Sequence, residues 1–184
     1  MSERNLWADV LIGVAAGAVG TAVMDQYFRA ASKVQEALAG DDAGGDGDGG
    51  GGRLDDISIT SIERREDENA TTTLARAAHE RVTGEEPSDT RKQRLGTAVH
   101  WGMGLSMGAL YGLLRGRRDG SDVGGGLVFG AGVWAAADEL MVPLLGLSKG
   151  PTAHSAEEHL QGLSAHLVYG ATTALAAQSI ARLT

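Results

Sequence analysis

A chain of 184 residues with 16 Lys and Arg against 24 Asp and Glu carries a formal charge of −8 and offers no basic face for a nucleic-acid backbone. The lack of cysteine excludes disulfides, thiolate metal sites and cysteine nucleophiles. Fifteen of the acidic and nine of the basic residues fall between Ala31 and Arg94, so the flanking segments are largely apolar.

The first apolar segment covers about residues 6–30. Its core, VLIGVAAGAVGTAVM, lies between Asp9 and Asp25, with Leu6 and Trp7 at one end and Tyr27 and Phe28 at the other as interfacial anchors. No small-residue cleavage signal follows, which predicts a retained membrane helix rather than a removed signal peptide. A long hydrophilic loop, 31–94, comes next. Within it residues 40–52 are almost all Gly and Asp and have nothing to bury, as in a flexible linker. The alternation over Leu54–Ile62 is brief. A helix is predicted over about 69–83, with Leu74, Ala77, Ala78 and Val82 as its apolar stripe, Gly84 as its stop and Pro87 just beyond. Ser88 can cap the helix that follows, whose polar turn TRKQR runs into Leu95.

Residues 95–114, LGTAVHWGMGLSMGALYGLL, place small residues and one histidine at every fourth position: Gly96, His100, Gly104, Gly108 and Gly112. In water each interior glycine would cost a helix roughly 0.8–1 kcal/mol relative to alanine. Between membrane helices the same glycines permit close backbone packing, so this segment reads as a second span. A third covers about 123–147, interrupted by Asp138, Glu139 and Pro143, and a fourth covers about 160–183. The predicted fold is an all-α polytopic membrane four-helix bundle in a single domain. Arg115, Arg117 and Arg118 in the short connection favour cytoplasmic termini, while Arg91, Lys92 and Arg94 in the longer connection pull in the opposite direction.

Gly96, His100 and Gly104 match Gly162, His166 and Gly170 at a constant offset of 66, and Gly13, Gly17 and Asp25 match Gly126, Gly130 and Asp138 at 113. Two parallel-repeat hairpins follow, each with an aspartate near the end of its first helix and a histidine near the start of its second. Asp25, His100, Asp138 and His166 then form a polar cluster, with Glu139 as a fifth group. It either handles protons or a divalent metal such as zinc, with His159 and His154 as added ligands, or consists of Asp–His pairs that only lock the bundle. The glycines, Gly162 and Gly170 included, read as packing faces.

The surface helix with VTG, a spacer and then GTAVHWGMGLSMGALYG resembles the YagU-like family, DUF1440, over about Ala70 to Gly112. A weaker similarity extends to the first span and to AHLVYG. Trp101 stands where tyrosine is common in that family. The resemblance implies a multi-pass plasma-membrane protein associated with acid stress tolerance and assigns no reaction.

The expected function is therefore proton or metal handling or transport linked to stress tolerance, with the lipid bilayer as partner and homo-oligomers completing the pathway. The alternative is a structural membrane assembly or interaction protein without ligand chemistry. No HExxH, GxSxG or complete nucleophile constellation points to an enzyme.

Overall fold

The computed structural model describes residues 5–39, 54–65, 67–115 and 122–183. Its regular elements are helical: α1 (Leu6–Ala39), α2 (Ala70–Thr83), α3 (Asp89–Arg115), α4 (Val123–Ala136), a π-helical turn (Ala137–Met141), α5 (Val142–Leu144), a 3-10 turn (Pro151–Ala153) and α6 (Ala156–Ala181). They divide into two compact units. The first contains α1, residues 104–115, 122–134 and 159–183; the second contains 54–65, 67–103 and 135–158.

In the first unit the core is built from small side chains. On α1 the buried positions are Asp9, Ile12, Gly13, Ala16, Gly17, Gly20, Thr21 and Met24, two interleaved rows with a spacing of four. A row spaced by four drifts by about 40° per step around a helix of 3.6 residues per turn, which suits neighbours that cross at an angle. At the crossing with α3, a Cβ on Gly17 would lie 2.7 Å from the Gly104 carbonyl oxygen and 2.8 Å from Gly108 Cα. At the crossing of α4 with α6, a Cβ on Gly126 would lie 2.5 Å from the Gly170 carbonyl oxygen and 2.6 Å from Ala174 Cβ. Backbones this close leave no room for large residues. The buried apolar clusters around them are small: Ile12, Ala16, Tyr111, Ala174 and Ala177 in one, Met24, Ala165 and Tyr169 in the other.

The second unit is held differently. Helix α2 starts where Asn69 Oδ1 accepts the Thr72 amide at 3.0 Å, and it stops at Gly84, whose φ of 73° is costly for any residue with a Cβ. Its buried residues are Thr73, Ala75 and Arg76, while Ala78 and Val82 of the expected apolar stripe face outward. The face is turned because Arg76 is drawn inward by carboxylates. Residues 54–65 form no ladder. They lie along the end of α5 as a strap: the Ile59 amide donates to the Leu144 carbonyl at 2.9 Å, Thr60 Oγ1 to Leu145 at 2.6 Å, and Arg64 to Ser148. Carbonyls orphaned at a helix end are thereby satisfied.

Pro143 explains the π-helical turn before it. Having no amide hydrogen and a ring that clashes with the carbonyl four residues back, it disrupts the ladder at Glu139. The chain responds with a wider loop, in which the Val142 amide donates to Ala137. The helix then ends as Leu147 and Gly146 return their amides to Val142 and Pro143 at 3.0 and 2.9 Å, with Gly146 at φ 71°. Helix α6 begins at Ala156, four residues before the expected span, because Ser155 and Glu158 form a capping box.

These findings correct the expected membrane architecture. Among the described residues two helices, Leu6–Ala37 and Val123–Leu144, are long and apolar enough to cross a bilayer, against four expected spans. The segments 95–114 and 160–183 belong to α3 and α6. Helix α3 opens on the charged and polar run DTRKQR, and α6 opens on AEEH and carries Thr172, Thr173, Gln178 and Ser179 further on. The polytopic four-helix membrane bundle, its lipid partner and its multi-pass plasma-membrane location give way to an all-α fold of two units with a buried ion-pair network. The Gly/Asp linker 40–52 and residues 116–121 of the arginine-bearing connection lie outside the described residues.

Candidate functional site

The residues expected to form a polar cluster are distributed over both units. Asp25 on α1 and His166 on α6 belong to the first, while His100 on α3 and Asp138 and Glu139 in the π-helical turn belong to the second. All five are half-buried. His166 Nδ1 lies 2.9 Å from the Gly162 carbonyl oxygen of its own helix, and the His159 ring meets Trp134 edge-on at 6.3 Å between centroids. His154 Nδ1 lies 3.6 Å from Glu158 Oε1. Among the described residues no three His, Asp or Glu side chains group so as to hold a metal ion. Proton or metal handling by an intramembrane Asp/His cluster, with its link to stress tolerance, is corrected on that ground.

The glycine faces lie inside the molecule. Gly13 and Gly17 approach Gly104, Gly108 and Gly112, and Gly126 and Gly130 approach Gly170 and the His166 backbone. Gly96 faces α2, where a Cβ would lie 2.8 Å from Thr72 Oγ1. Tyr169 ties α6 to α3 by donating its hydroxyl to the Gly104 carbonyl at 2.6 Å, and burial pushes its phenol up to about 12. It therefore remains a donor throughout the neutral range.

Two features lie outside the expected polar cluster and glycine faces. The first is an ion-pair network in the second unit. Arg76 Nε donates to both Glu68 oxygens at 2.9 Å, and Lys92 Nζ stands 3.1 Å from Glu68 Oε1. The Glu68 side chain is 0% exposed, Arg76 4% and Lys92 9%. Glu80 completes the Arg76 side at 3.2 Å, Asp67 and Asp89 attend Lys92 at 3.4 and 3.5 Å, and Arg76 also donates to the Glu63 carbonyl. Burial pushes the Glu68 carboxyl up, yet its bonds to Arg76 and Lys92 outweigh that and hold it below the usual range. The Glu68 bond in turn raises Lys92 above its ordinary value. The network fastens Glu63, Asp67 and Glu68, α2 and the start of α3 together. It is already saturated with its own counter-charges, as a structural lock would be. The i,i+4 pair Arg76–Glu80 is readable in sequence, but Glu68 and Lys92 are 24 positions apart and no local pattern joins them.

The second feature is the outward face of α1. Trp7 is 78% exposed and Leu11 67%, and Leu6, Val19 and Val23 are exposed as well. Apart from Ile12 and Met24, the large apolar residues between Leu6 and Met24 are exposed or only half-buried. Between Leu6 and Met24 the only charged residue is Asp9, and it is buried. Elsewhere in the same unit Val128, Leu114 and Leu160 are also exposed.

No family model, no curated protein and no solved structure matches this chain.

Proposed function

We propose that this chain is a helical assembly module, which acts by presenting an apolar helix surface for docking. The observation that carries this reading is the outward face of α1, where Leu6, Trp7, Leu11, Val19 and Val23 are exposed while glycine, alanine and threonine, with Asp9, Ile12 and Met24, make up its buried face. A contiguous apolar surface facing water is costly, and proteins that keep one use it as an interaction site. The glycine faces do not serve this purpose, since they are already occupied by helix crossings within the unit.

The chain's lack of cysteine makes the test direct. A single thiol is introduced at Leu11→Cys, with Ser32→Cys on the exposed later part of α1 as control, and alkylation by a water-soluble maleimide is timed in gently lysed cells. Thiol reactivity follows access, so a covered face should slow Leu11→Cys by roughly tenfold relative to Ser32→Cys. Equal rates would show that nothing docks there and would end this reading.

A further inference from the structure

We propose that the partner docked on this face is a second copy of the same chain, with the two α1 helices crossing at Ala15; the inference rests on the assembly reading above. Three observations carry it. The first is spacing. Trp7, Leu11, Ala15, Val19 and Val23 are all exposed and recur every fourth residue, the same spacing as the buried rows by which α1 crosses its neighbours inside the unit. Ridges of residues four apart pack into one another at a crossing angle near −50°, so a second α1 meets this stripe with a geometry the helix already uses.

The second is shape. Ala15 is the smallest residue of the stripe and lies at its midpoint, so it is where two helix axes come closest. An antiparallel two-fold crossing centred there sets Leu11 of each copy opposite Val19 of the other, since both lie four residues from Ala15. It also directs Trp7 towards Val23, eight residues away on either side. A larger side chain meets a smaller one at each level, and the surface is complementary to itself, which a two-fold interface requires.

The third is charge and area. At a net charge of −8 two copies repel, yet the stripe itself spans roughly 24 Å without an exposed charge. Leu6, Trp7, Leu11, Val19 and Val23 at their observed exposures offer roughly 500 Å² of apolar surface per copy. Pairing two copies removes at most about 1,000 Å² from water, the lower limit for a specific interface.

Ala15 is exposed, so Ala15→Cys is tolerated by the fold, and its two thiols would meet at the crossing. Copper-phenanthroline oxidation of the full chain should then convert about half or more of Ala15→Cys to a band at twice the chain mass, and leave Ser32→Cys monomeric, because a disulfide needs Cα atoms within about 7 Å. Sedimentation equilibrium of the unmodified chain should give a dimer. The double variant Leu11→Glu, Val19→Glu should sediment as a monomer with an unchanged helical circular dichroism spectrum. If Leu11→Cys is protected while Ala15→Cys gives no cross-link and the chain sediments as a monomer, another occupant covers the face and the second-copy inference falls while the assembly reading stands. Protection that appears only on adding phosphatidylglycerol vesicles, without a cross-link, would identify lipid as that occupant and overturn the proposal. Failure of both protection and cross-linking overturns both.

Discussion

Replacing Glu68 with glutamine tests whether the ion-pair network, rather than apolar packing, holds the second unit together. The substitution keeps the shape of the side chain and removes the charge that Arg76 meets at 2.9 Å and Lys92 at 3.1 Å. Stranding a buried charge by removing its partner costs about 3–5 kcal/mol. Here the two cations keep other carboxylates, but those are the more exposed ones: Glu80, Asp67 and Asp89. The cost should therefore fall at the lower end, about 3 kcal/mol, or roughly 6–12 °C in Tm for a chain of this length. Urea unfolding followed at 222 nm measures it, and a cycle with Lys92→Met isolates the pair. The pH dependence has a definite sign. Because the folded-state carboxyl titrates below its unfolded value, the unfolded chain takes up the proton first as pH falls. Its contribution is complete above the ordinary glutamate range of about 4.3 and is lost as pH drops through the lowered folded value. Glu68→Gln should flatten that acid limb. A loss below about 1 kcal/mol, the scale of a surface pair, would mean that the network holds the unit no better than exposed charges do.

The helix crossings and caps respond to single substitutions as well. Gly108→Ala places a Cβ 2.6 Å from Gly17 Cα and should destabilise by about 1–3 kcal/mol, whereas Gly102→Ala, with nothing within 4 Å, should stabilise by up to about 1 kcal/mol; thermal melts of the two variants measure the contrast. Tyr169→Phe removes the hydroxyl bonded to the Gly104 carbonyl and should cost about 1 kcal/mol. The same variant should abolish the tyrosine that ionises near 12 in absorbance titration, and with it a loss of stability that sets in as pH rises above about 10. Ser155→Ala opens the capping box and should cost about 1 kcal/mol, seen as faster amide exchange confined to the first turn of α6.

What sequence reasoning could reach follows from how local each cause is. Asn69 and Gly84 bracket a helix because a side-chain cap and a left-handed stop act over three or four residues. Pro143 marks a disruption for the same reason, although the π-helical form of the response depends on how the chain absorbs the clash. The Ser155-x-x-Glu158 box is equally local, yet it is easily passed over when a segment is bounded by hydropathy, because hydropathy puts the start at Leu160. The strap has no such signature. Its amides and hydroxyls reach carbonyls 85 positions away, and any backbone carbonyl would have served. The network at Glu68 is hidden likewise, since Glu68 ends a run of six charged residues, ERREDE, that reads as a solvated loop until Arg76 and Lys92 are found buried beside it.

Hydropathy misleads in the first unit for a different reason. It counts apolar residues without regard to which way they face, and α1 turns its small residues inward. With Gly17 against Gly108 and Gly126 against Gly170, the helices approach until backbone meets backbone, and Leu11, Val19 and Trp7 are left outside. The same crossings refine the internal repeat. Gly13 meets Gly108 and Gly112 as Gly126 meets Gly170 and Ala174, and Gly17 meets Gly104 and Gly108 as Gly130 meets His166 and Gly170. The two hairpins therefore correspond at an offset of 62 in their second helices, not the 66 that aligns the GxxxHxxxG motifs. One helical turn separates the sequence repeat from the packing repeat. Packing equivalence sets His166 level with Gly104 rather than with His100, so the motif that made the two histidines look like a pair does not give them equivalent places. Close helix contact selects only for a small residue or bare backbone at each level, and the chain meets that requirement with Gly104 in one hairpin and the His166 backbone in the other.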